Sequence, residues 1–187
     1  MPKSITLIAV PRTSIYMPSP ALSVLKASLQ RHGHICNTVD MNIELYNCSK
    51  ENNLAEYNEL DNYFQADLRY LKQTDFPVSE LLDKSKSLST KTFEYYQTYL
   101  INLTESVLSR KDDWIGISIL SVNSILPAID LCKTIKNISP TQKIVLGGPG
   151  VSTFGIRGKS NFGEFMIEQK LATTYIQGEG EDALAQV

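Results

Sequence analysis

The sequence predicts an α/β fold, namely a doubly wound, five-stranded parallel sheet in the flavodoxin-like order 2-1-3-4-5. Five short apolar segments rich in β-branched residues have the composition of strands that are buried on both faces. Helical patterns separate most of these segments, and such alternation implies right-handed crossovers between parallel strands. The chain of 187 residues, 42% of them hydrophobic, is long enough for one domain with its own core.

The elements follow from local patterns along the chain. The predicted strands are Ile5–Val10, Ile35–Asp40, Trp114–Ile119, Lys143–Leu146 and Thr174–Gln177. A helix over Pro20–Arg31 is predicted to end at Gly33, a residue type that often follows the last turn of a helix. Ser124–Asn137 has apolar residues at helical spacing and predicts a second crossover helix.

Residues from about 41 to 112 contain no predicted strand, and they lie between the second and third strands. One amphipathic helix is predicted from the spacing of Phe93, Tyr96, Leu100, Leu103 and Val107. Another is suggested by Phe64, Leu68 and Leu71. We therefore expect a mostly helical insertion that packs its aromatic side chains against the sheet domain.

Composition narrows the classes of partner. The net charge is −2, whereas nucleic acids and anionic membranes attract basic surfaces, so neither is expected to be a partner. The apolar run "WIGISIL" is too short to cross a bilayer. Cys36, Cys48 and Cys132 lack C-x-x-C spacing, which predicts plain buried thiols in a reducing, cytoplasmic protein.

Ligands of doubly wound sheets bind beyond the carboxyl ends of the strands, so the loops there carry the functional signal. The loop after the first strand has no glycine, which excludes a dinucleotide-binding G-x-G-x-x-G motif. "GKS" at residues 158–160 lacks the first glycine of a P-loop. His32 and His34 flank the turn into the second strand, at the opposite edge of the sheet. We therefore predict neither catalytic residues nor metal ligands in this chain.

The stretch "KIVLGGPGVS" ends a strand in paired glycines. Ser118 and Leu120 form an S-x-L motif after the third strand, and residues 121 to 146 separate it from Gly147 and Gly148. Glycines have no Cβ atom, so a flat, bulky group can lie against their backbone. A serine at the neighbouring strand end can form a hydrogen bond with a ring nitrogen there. The pattern predicts a site for a large planar ligand.

S-x-L followed by G-G resembles the cobalamin-binding fold of methionine synthase and the cobalamin mutases. Those proteins also carry D-x-H-x-x-G after the first strand, which this chain lacks. The ordered segments "PSPALSVLKASLQRHGH", "VDMN", "WIGISILS", "KIVLGGPGV" and "GEGEDAL" are similar to the N-terminal domain of cobalamin-dependent radical S-adenosylmethionine enzymes. In that family the nucleotide tail is held away from cobalt and the protein often supplies no histidine ligand.

The resemblance implies a cobalamin site over residues 1–187. Its implied tail-binding residues are Ser118, Leu120, Ser121, Gly147, Gly148, Pro149, Gly150, Gly178 and Glu179. Replacing Gly148 with Val is therefore expected to lower cobalamin retention sharply with little change in thermal stability.

The resemblance also implies chemistry that this chain does not contain. Radical S-adenosylmethionine enzymes hold a [4Fe–4S] cluster with C-x-x-x-C-x-x-C, whereas no two cysteines here are closer than Cys36 and Cys48. The cluster and S-adenosylmethionine are therefore expected in a C-terminal catalytic barrel beyond residue 187, in a parent methyltransferase acting on an unreactive carbon. Two alternatives stay open: a stand-alone cobalamin carrier or sensor, and a flavodoxin-like domain that binds another flat cofactor such as a flavin.

Overall fold

The computed structural model describes residues 2–11, 16, 19–65, 82–152 and 161–187. Its strands are β1 (Ser4–Ala9), β2 (Ile35–Asp40), β3 (Trp114–Ser118), β4 (Lys143–Gly147) and β5 (Thr174–Tyr175). They form one five-stranded, all-parallel sheet in the order β2-β1-β3-β4-β5. The predicted fold class and strand order are therefore confirmed.

Helices occupy most of the connections. They are α1 (Pro20–Arg31), α2 (Met41–Ser49), α3 (Leu54–Phe64), α4 (Thr90–Leu108), α5 (Ile125–Ile138), α6 (Pro149–Ser152), α7 (Phe162–Glu168) and α8 (Glu181–Gln186). Helix α1 ends as predicted at Gly33, whose φ of +81° lets the amide of His34 donate to the carbonyl oxygen of Leu29 at 3.0 Å. This is the Schellman arrangement, and it directs the chain into β2.

The strand bounds differ from the prediction mainly at the edge of the sheet. Strand β5 ends at Tyr175 rather than Gln177, because only two of its residues pair with Val145 and Leu146 of β4. Strand β4 runs one residue further than predicted, to Gly147, which pairs with Ser118. The first glycine of the pair is therefore part of the sheet, and the loop begins at the second.

The two faces of the sheet have separate cores. Ile8, Ile117 and Leu146 point to the larger core, which α5 and the helices of the insertion cover. Leu7 and Val145 point to the opposite face, which has a smaller core with side chains from α1 and α8. The smaller core leaves part of its face uncovered toward the carboxyl ends of the strands.

Between β2 and β3 the described residues are helical and contain no strand, as predicted. Helix α4 carries the predicted apolar face, with Tyr96, Leu100, Leu103 and Val107 buried and Phe93 half-buried. Phe64 is the last residue of α3, while Leu68 and Leu71, the rest of the other suggested helix, lie outside the described residues.

An aromatic cluster with one buried carboxyl group attaches the insertion to the sheet domain. The rings of Phe64 and Tyr96, both in the insertion, have centroids 5.7 Å apart and share a buried core with Ile8 and Ile117 of the sheet. The Tyr63 hydroxyl donates to Oδ2 of Asp130, a residue of α5, at 2.9 Å. Burial raises the pKa of the Asp130 carboxyl to about 7, although the tyrosine hydroxyls and the Lys133 ammonium act in the opposite direction. Aromatic packing of the insertion on the sheet domain thus agrees with the sequence, whereas the buried acid was not predicted.

Candidate functional site

Adjacent strands end in one row of residues at the carboxyl edge of the sheet. Ala9 pairs with Ser118, and Ser118 pairs with Gly147. Paired residues of a parallel sheet point to the same face, and Ala9 belongs to the smaller core. Ser118 and Gly147 therefore face the side of the sheet that α1 and α8 cover.

A cavity of about 750 Å³ lies on this face. Its floor is the sheet, one wall is α1, another wall is α8 with the loop before it, and the turn after β4 lies at one end. The described lining consists of Leu7, Ser19, Pro20, Ala21, Leu22, Val24, Leu25, Gly116, Ile117, Ser118, Leu120, Val145, Leu146, Gly147, Gly148, Pro149, Ile176, Gly178, Glu179, Gly180, Glu181 and Leu184. Its size falls within the range of about 300–1,000 Å³ that is typical of small-molecule sites.

The lining suits an apolar ligand without negative charge. Among the lining residues that the structure describes, only Ser19, Ser118, Glu179 and Glu181 have polar side chains, and none has a basic one. A phosphate group inside the cavity would therefore meet carboxylates and apolar carbons rather than a cation. Hydroxyl groups at Ser19 and Ser118 can still form hydrogen bonds with a ring nitrogen or oxygen.

The paired glycines have different roles. A Cβ atom added to Gly147 would have no atom within 4 Å, so this position leaves open space in the cavity floor. Gly148 has φ of +96°, and an added Cβ atom would stand 2.6 Å from the carbonyl oxygen of Ile119. Gly148 is therefore required by the turn itself. Replacing Gly148 is therefore expected to lower thermal stability, which differs from the expectation drawn from the sequence.

Seven of the nine predicted site residues line the cavity: Ser118, Leu120, Gly147, Gly148, Pro149, Gly178 and Glu179. Leu120 is 51% exposed, which is high for a leucine and puts an apolar side chain at the opening. Gly178 has φ of +84° and makes the turn that leads to α8.

The other two predicted residues, Ser121 and Gly150, are not among the residues that line the cavity. The amide of Gly150 donates to the carbonyl oxygen of Ile119 at 2.8 Å. A Cβ atom on Gly150 would stand 3.2 Å from the carbonyl oxygen of Ser121 and closer still to Ile119. The two residues thus mark where the loop after β4 crosses the loop after β3, and Gly150 allows that close approach.

Sequence reasoning missed the wall that α1 provides. Pro20 and Val24 lie one helical turn apart, as do Ala21 and Leu25, so the four form one face of the helix toward the cavity. Val24 is 47% exposed although it is apolar. An apolar residue on the outward side of a predicted amphipathic helix was the available signal.

Asp40 at the end of β2 was also missed, and it positions this wall. Its Oδ2 accepts from the amide of Ser19 at 3.1 Å, just before α1, and its Oδ1 accepts from the amide of Ile43 at 3.3 Å, in the first turn of α2. One carboxylate thus orders the starts of two helices. Asp40 belongs to the "VDMN" segment, whose aspartate ends a strand and precedes a helix.

Both histidines lie at the amino end of the sheet. His34 precedes Ile35, which pairs with Ser4 at the start of β1, whereas the row with Ser118 and Gly147 lies five residues further along β1. At about 3.3 Å per residue the two rows are roughly 16 Å apart. His32 contacts its own helix, with Nδ1 2.9 Å from the carbonyl oxygen of Ser28.

No group of three or more His, Cys, Asp or Glu side chains is arranged to hold a metal ion in the ranges that the structure describes. Cys36 and Cys132 are buried, and burial raises the pKa of both thiols, to about 11 for Cys36. Cys48 is exposed, contrary to the expectation of three buried thiols. None of the helices described is both long and apolar enough to cross a membrane.

The sequence matches no protein-family model, and a search of curated proteins finds no significant match.

Proposed function

We propose that this chain binds cobalamin and holds its nucleotide tail in the cavity between the sheet and α1. The observation that carries the proposal is Gly147, which ends β4 in open space at the floor of a cavity of about 750 Å³. A residue with any larger side chain would reach into this space. The neighbouring strand end supplies Ser118, as the resemblance to cobalamin-binding domains implies.

Each part of the cavity has a role toward the flat benzimidazole ring of the tail. Gly147 leaves room for the ring beside the backbone. Ser118 directs a hydroxyl group to the same face and can donate a hydrogen bond to a ring nitrogen. Val24 and Leu25 of α1 give the opposite side of the ring an apolar surface. Gly178 and Glu179 limit the cavity at its side.

Charge supports the same orientation. The described lining has no basic side chain, so the tail phosphate is expected to stay at the opening while the neutral ring enters. Leu120 lies at that opening with half of its surface exposed, and it offers the corrin ring an apolar contact. When bound, cobalamin supplies a cobalt ion that can carry a methyl group.

We further propose that the chain is the N-terminal domain of a cytoplasmic radical S-adenosylmethionine methyltransferase. This step rests on the order of the sequence segments that resemble that family. A following domain would supply the [4Fe–4S] cluster and S-adenosylmethionine, and the present domain would position cobalamin beside it. A stand-alone carrier or sensor would use the same cavity in the same way.

Binding of two corrinoids to the purified chain tests the proposal. Aquocobalamin has the nucleotide tail, whereas cobinamide has the same corrin ring without it. We expect aquocobalamin to remain bound through gel filtration, with its visible spectrum, and cobinamide to bind at least about tenfold more weakly, since the apolar contacts of one ring are worth about 1–3 kcal/mol.

Two variants localise the binding. Gly147→Val fills the open space and is expected to weaken aquocobalamin binding at least about tenfold. Lys143→Val puts the same side chain at the exposed amino end of β4, outside the cavity lining, and serves as the control. Equal affinity for both corrinoids, or no effect of Gly147→Val, would contradict a tail in this cavity. Tighter binding of riboflavin than of aquocobalamin would favour the flavin alternative.

A further inference from the structure

Helix α8 is a short element that forms one wall of the cavity. Gly180, Glu181 and Leu184 line the cavity, so any movement of α8 changes its shape. Leu184 is buried, and Ala185 and Val187 pack against the smaller core. The other contacts that hold the helix are polar. Ser28 of α1 donates from its hydroxyl to the carbonyl oxygen of Glu181 at 3.0 Å. The Lys3 ammonium donates to the carbonyl oxygen of Val187.

The third polar tie is His34, which uses both ring nitrogens. The amide of Lys3 approaches Nδ1 at 3.1 Å, and because an amide can only donate, Nδ1 must be the acceptor. The carbonyl oxygen of Ala185 lies 3.1 Å from Nε2, and because a carbonyl oxygen can only accept, Nε2 must carry the proton. The two partners together require the neutral ring with its proton on Nε2.

We propose that His34 is a positioning residue that holds α8 against the cavity only in its neutral form, so that ligand retention weakens when the ring takes up a second proton. The added proton, from water, would sit on Nδ1 and face the amide of Lys3, which is also a donor. Two donors cannot share that position, so the ring must turn or withdraw. Its Nε2 then loses alignment with Ala185, and the C-terminal end of α8 is released.

Histidine is the side-chain type that ordinarily changes charge between about pH 5 and 8, so the experiments compare pH 7.5 with pH 5.5. The charged side chains on the elements beside His34 are Lys3 before β1, Lys26 and Arg31 on α1, Asp113 before β3, and Glu181 and Asp182 on α8. Asp130 titrates in the same pH range on the other face of the sheet, and it is common to all variants below.

Backbone hydrogen exchange of α8 in the ligand-free protein tests whether neutral His34 holds this helix, and it does so independently of the proposed function. His34→Gln retains one donor and one acceptor on a planar group but cannot be protonated. After correction for the intrinsic exchange rate, we expect protection of the 181–186 segment to fall about threefold to tenfold between pH 7.5 and 5.5 in the original protein, as for loss of one hydrogen bond. In His34→Gln the same protection should not change with pH.

Two control variants distinguish the effect of His34 protonation from the effects of neighbouring residues. His32→Gln removes the neighbouring histidine, which does not contact α8, and should keep the pH response. Ser28→Ala removes a tie that does not titrate, and should lower protection of α8 by a similar factor at both pH values. A pH response that persists in His34→Gln, or one that is absent from the original protein, would overturn the proposal.

Aquocobalamin binding provides a second readout, which rests on the proposed function. We expect its dissociation constant to rise about threefold to tenfold between pH 7.5 and 5.5 in the original protein and to stay constant in His34→Gln. If no variant binds aquocobalamin at either pH, the proposed function fails, and the exchange of α8 still decides the role of His34. If α8 exchange responds to pH but aquocobalamin binding does not, α8 is not a wall that controls retention, and the proposal is wrong.

Discussion

The carbonyl oxygen of Ile119 lies 2.6 Å from the position that a Cβ atom on Gly148 would occupy. The loop after β3 and the turn after β4 therefore approach each other so closely that only glycine fits. Gly148 also has φ of +96°, a conformation that costs other residues energy. Gly147, the first of the paired glycines, meets neither restriction. Of these two adjacent residues, Gly148 is therefore required for folding, and Gly147 is available for ligand binding.

Replacing Gly148 with Ala should therefore lower stability as well as ligand binding. Strain at a positive φ costs about 1–3 kcal/mol, and displacement of the Ile119 carbonyl adds to it. Urea denaturation should show a lower midpoint for Gly148→Ala, and Gly148→Val should be less stable still. Unchanged stability of both variants would mean that the turn has a different backbone conformation.

Gly147→Val should behave in the opposite way. It lies at a strand end with open space before it, so its free energy of unfolding should stay within about 0.5 kcal/mol of the original value. Aquocobalamin binding should nevertheless weaken at least about tenfold, as argued from the filled cavity. Urea denaturation of the Gly147→Val and Gly148→Val variants under identical conditions compares their free energies of unfolding. Equal losses of stability in the two variants would contradict the different roles of the two glycines.

Asp130→Asn should change how stability depends on pH. Burial raises the pKa of Asp130 to about 7 from the usual 3.8, so the folded state binds its proton more tightly than the unfolded state does. The stability that this proton contributes is present in full below about pH 4 and is lost as the pH rises to about 7. Asn keeps an acceptor for the Tyr63 hydroxyl and does not titrate.

We therefore expect the original protein to lose on the order of 2–4 kcal/mol relative to Asp130→Asn between pH 4 and 8. Denaturation at several pH values gives the free energy of unfolding of each protein as a function of pH. The difference between the two proteins removes the contribution of other titrating groups. Glu105→Gln, at an exposed position on α4, is the control and should follow the original curve. Parallel curves for Asp130→Asn would show that its carboxyl group is not kept protonated by burial.

Neither histidine should bind cobalt. A metal–imidazole bond is about 2 Å long, whereas the amino and carboxyl ends of β1 are separated by roughly 16 Å. At pH 7.5 the double change of His32 and His34 to Gln should leave the visible spectrum of bound aquocobalamin unchanged. A shifted spectrum would indicate that the cobalt ion lies at the other end of the sheet.

The isolated chain should transfer no methyl group. Its described residues contain no cluster of metal-ligand side chains, and methyl transfer by the proposed parent enzyme needs a radical source from another domain. Mass spectrometry after incubation with methylcobalamin, S-adenosylmethionine, a reductant and a candidate acceptor with an unreactive carbon measures any methylated product. Product above the level of a protein-free control would contradict a purely binding role.

The class of fold and the edge of the sheet where the cavity lies could both be predicted from the sequence alone. Strands buried on both faces must be continuously apolar, and the helices between them require a parallel sheet, so local composition is sufficient for both conclusions. Ser118 and Gly147 were identified because they immediately follow apolar strands, a position that can be read directly from neighbouring residues.

Which of the nearby residues face the cavity depends on tertiary packing and could not be predicted from the sequence. Ser121 and Gly150 were predicted site residues, yet the backbones of the two loops cross there and neither residue lines the cavity. The α1 wall and the contact of His34 with Ala185, 151 positions apart, likewise depend on how helices pack across the sheet. Such contacts follow from strand register and helix packing over long sequence separations, which no local pattern of residues encodes.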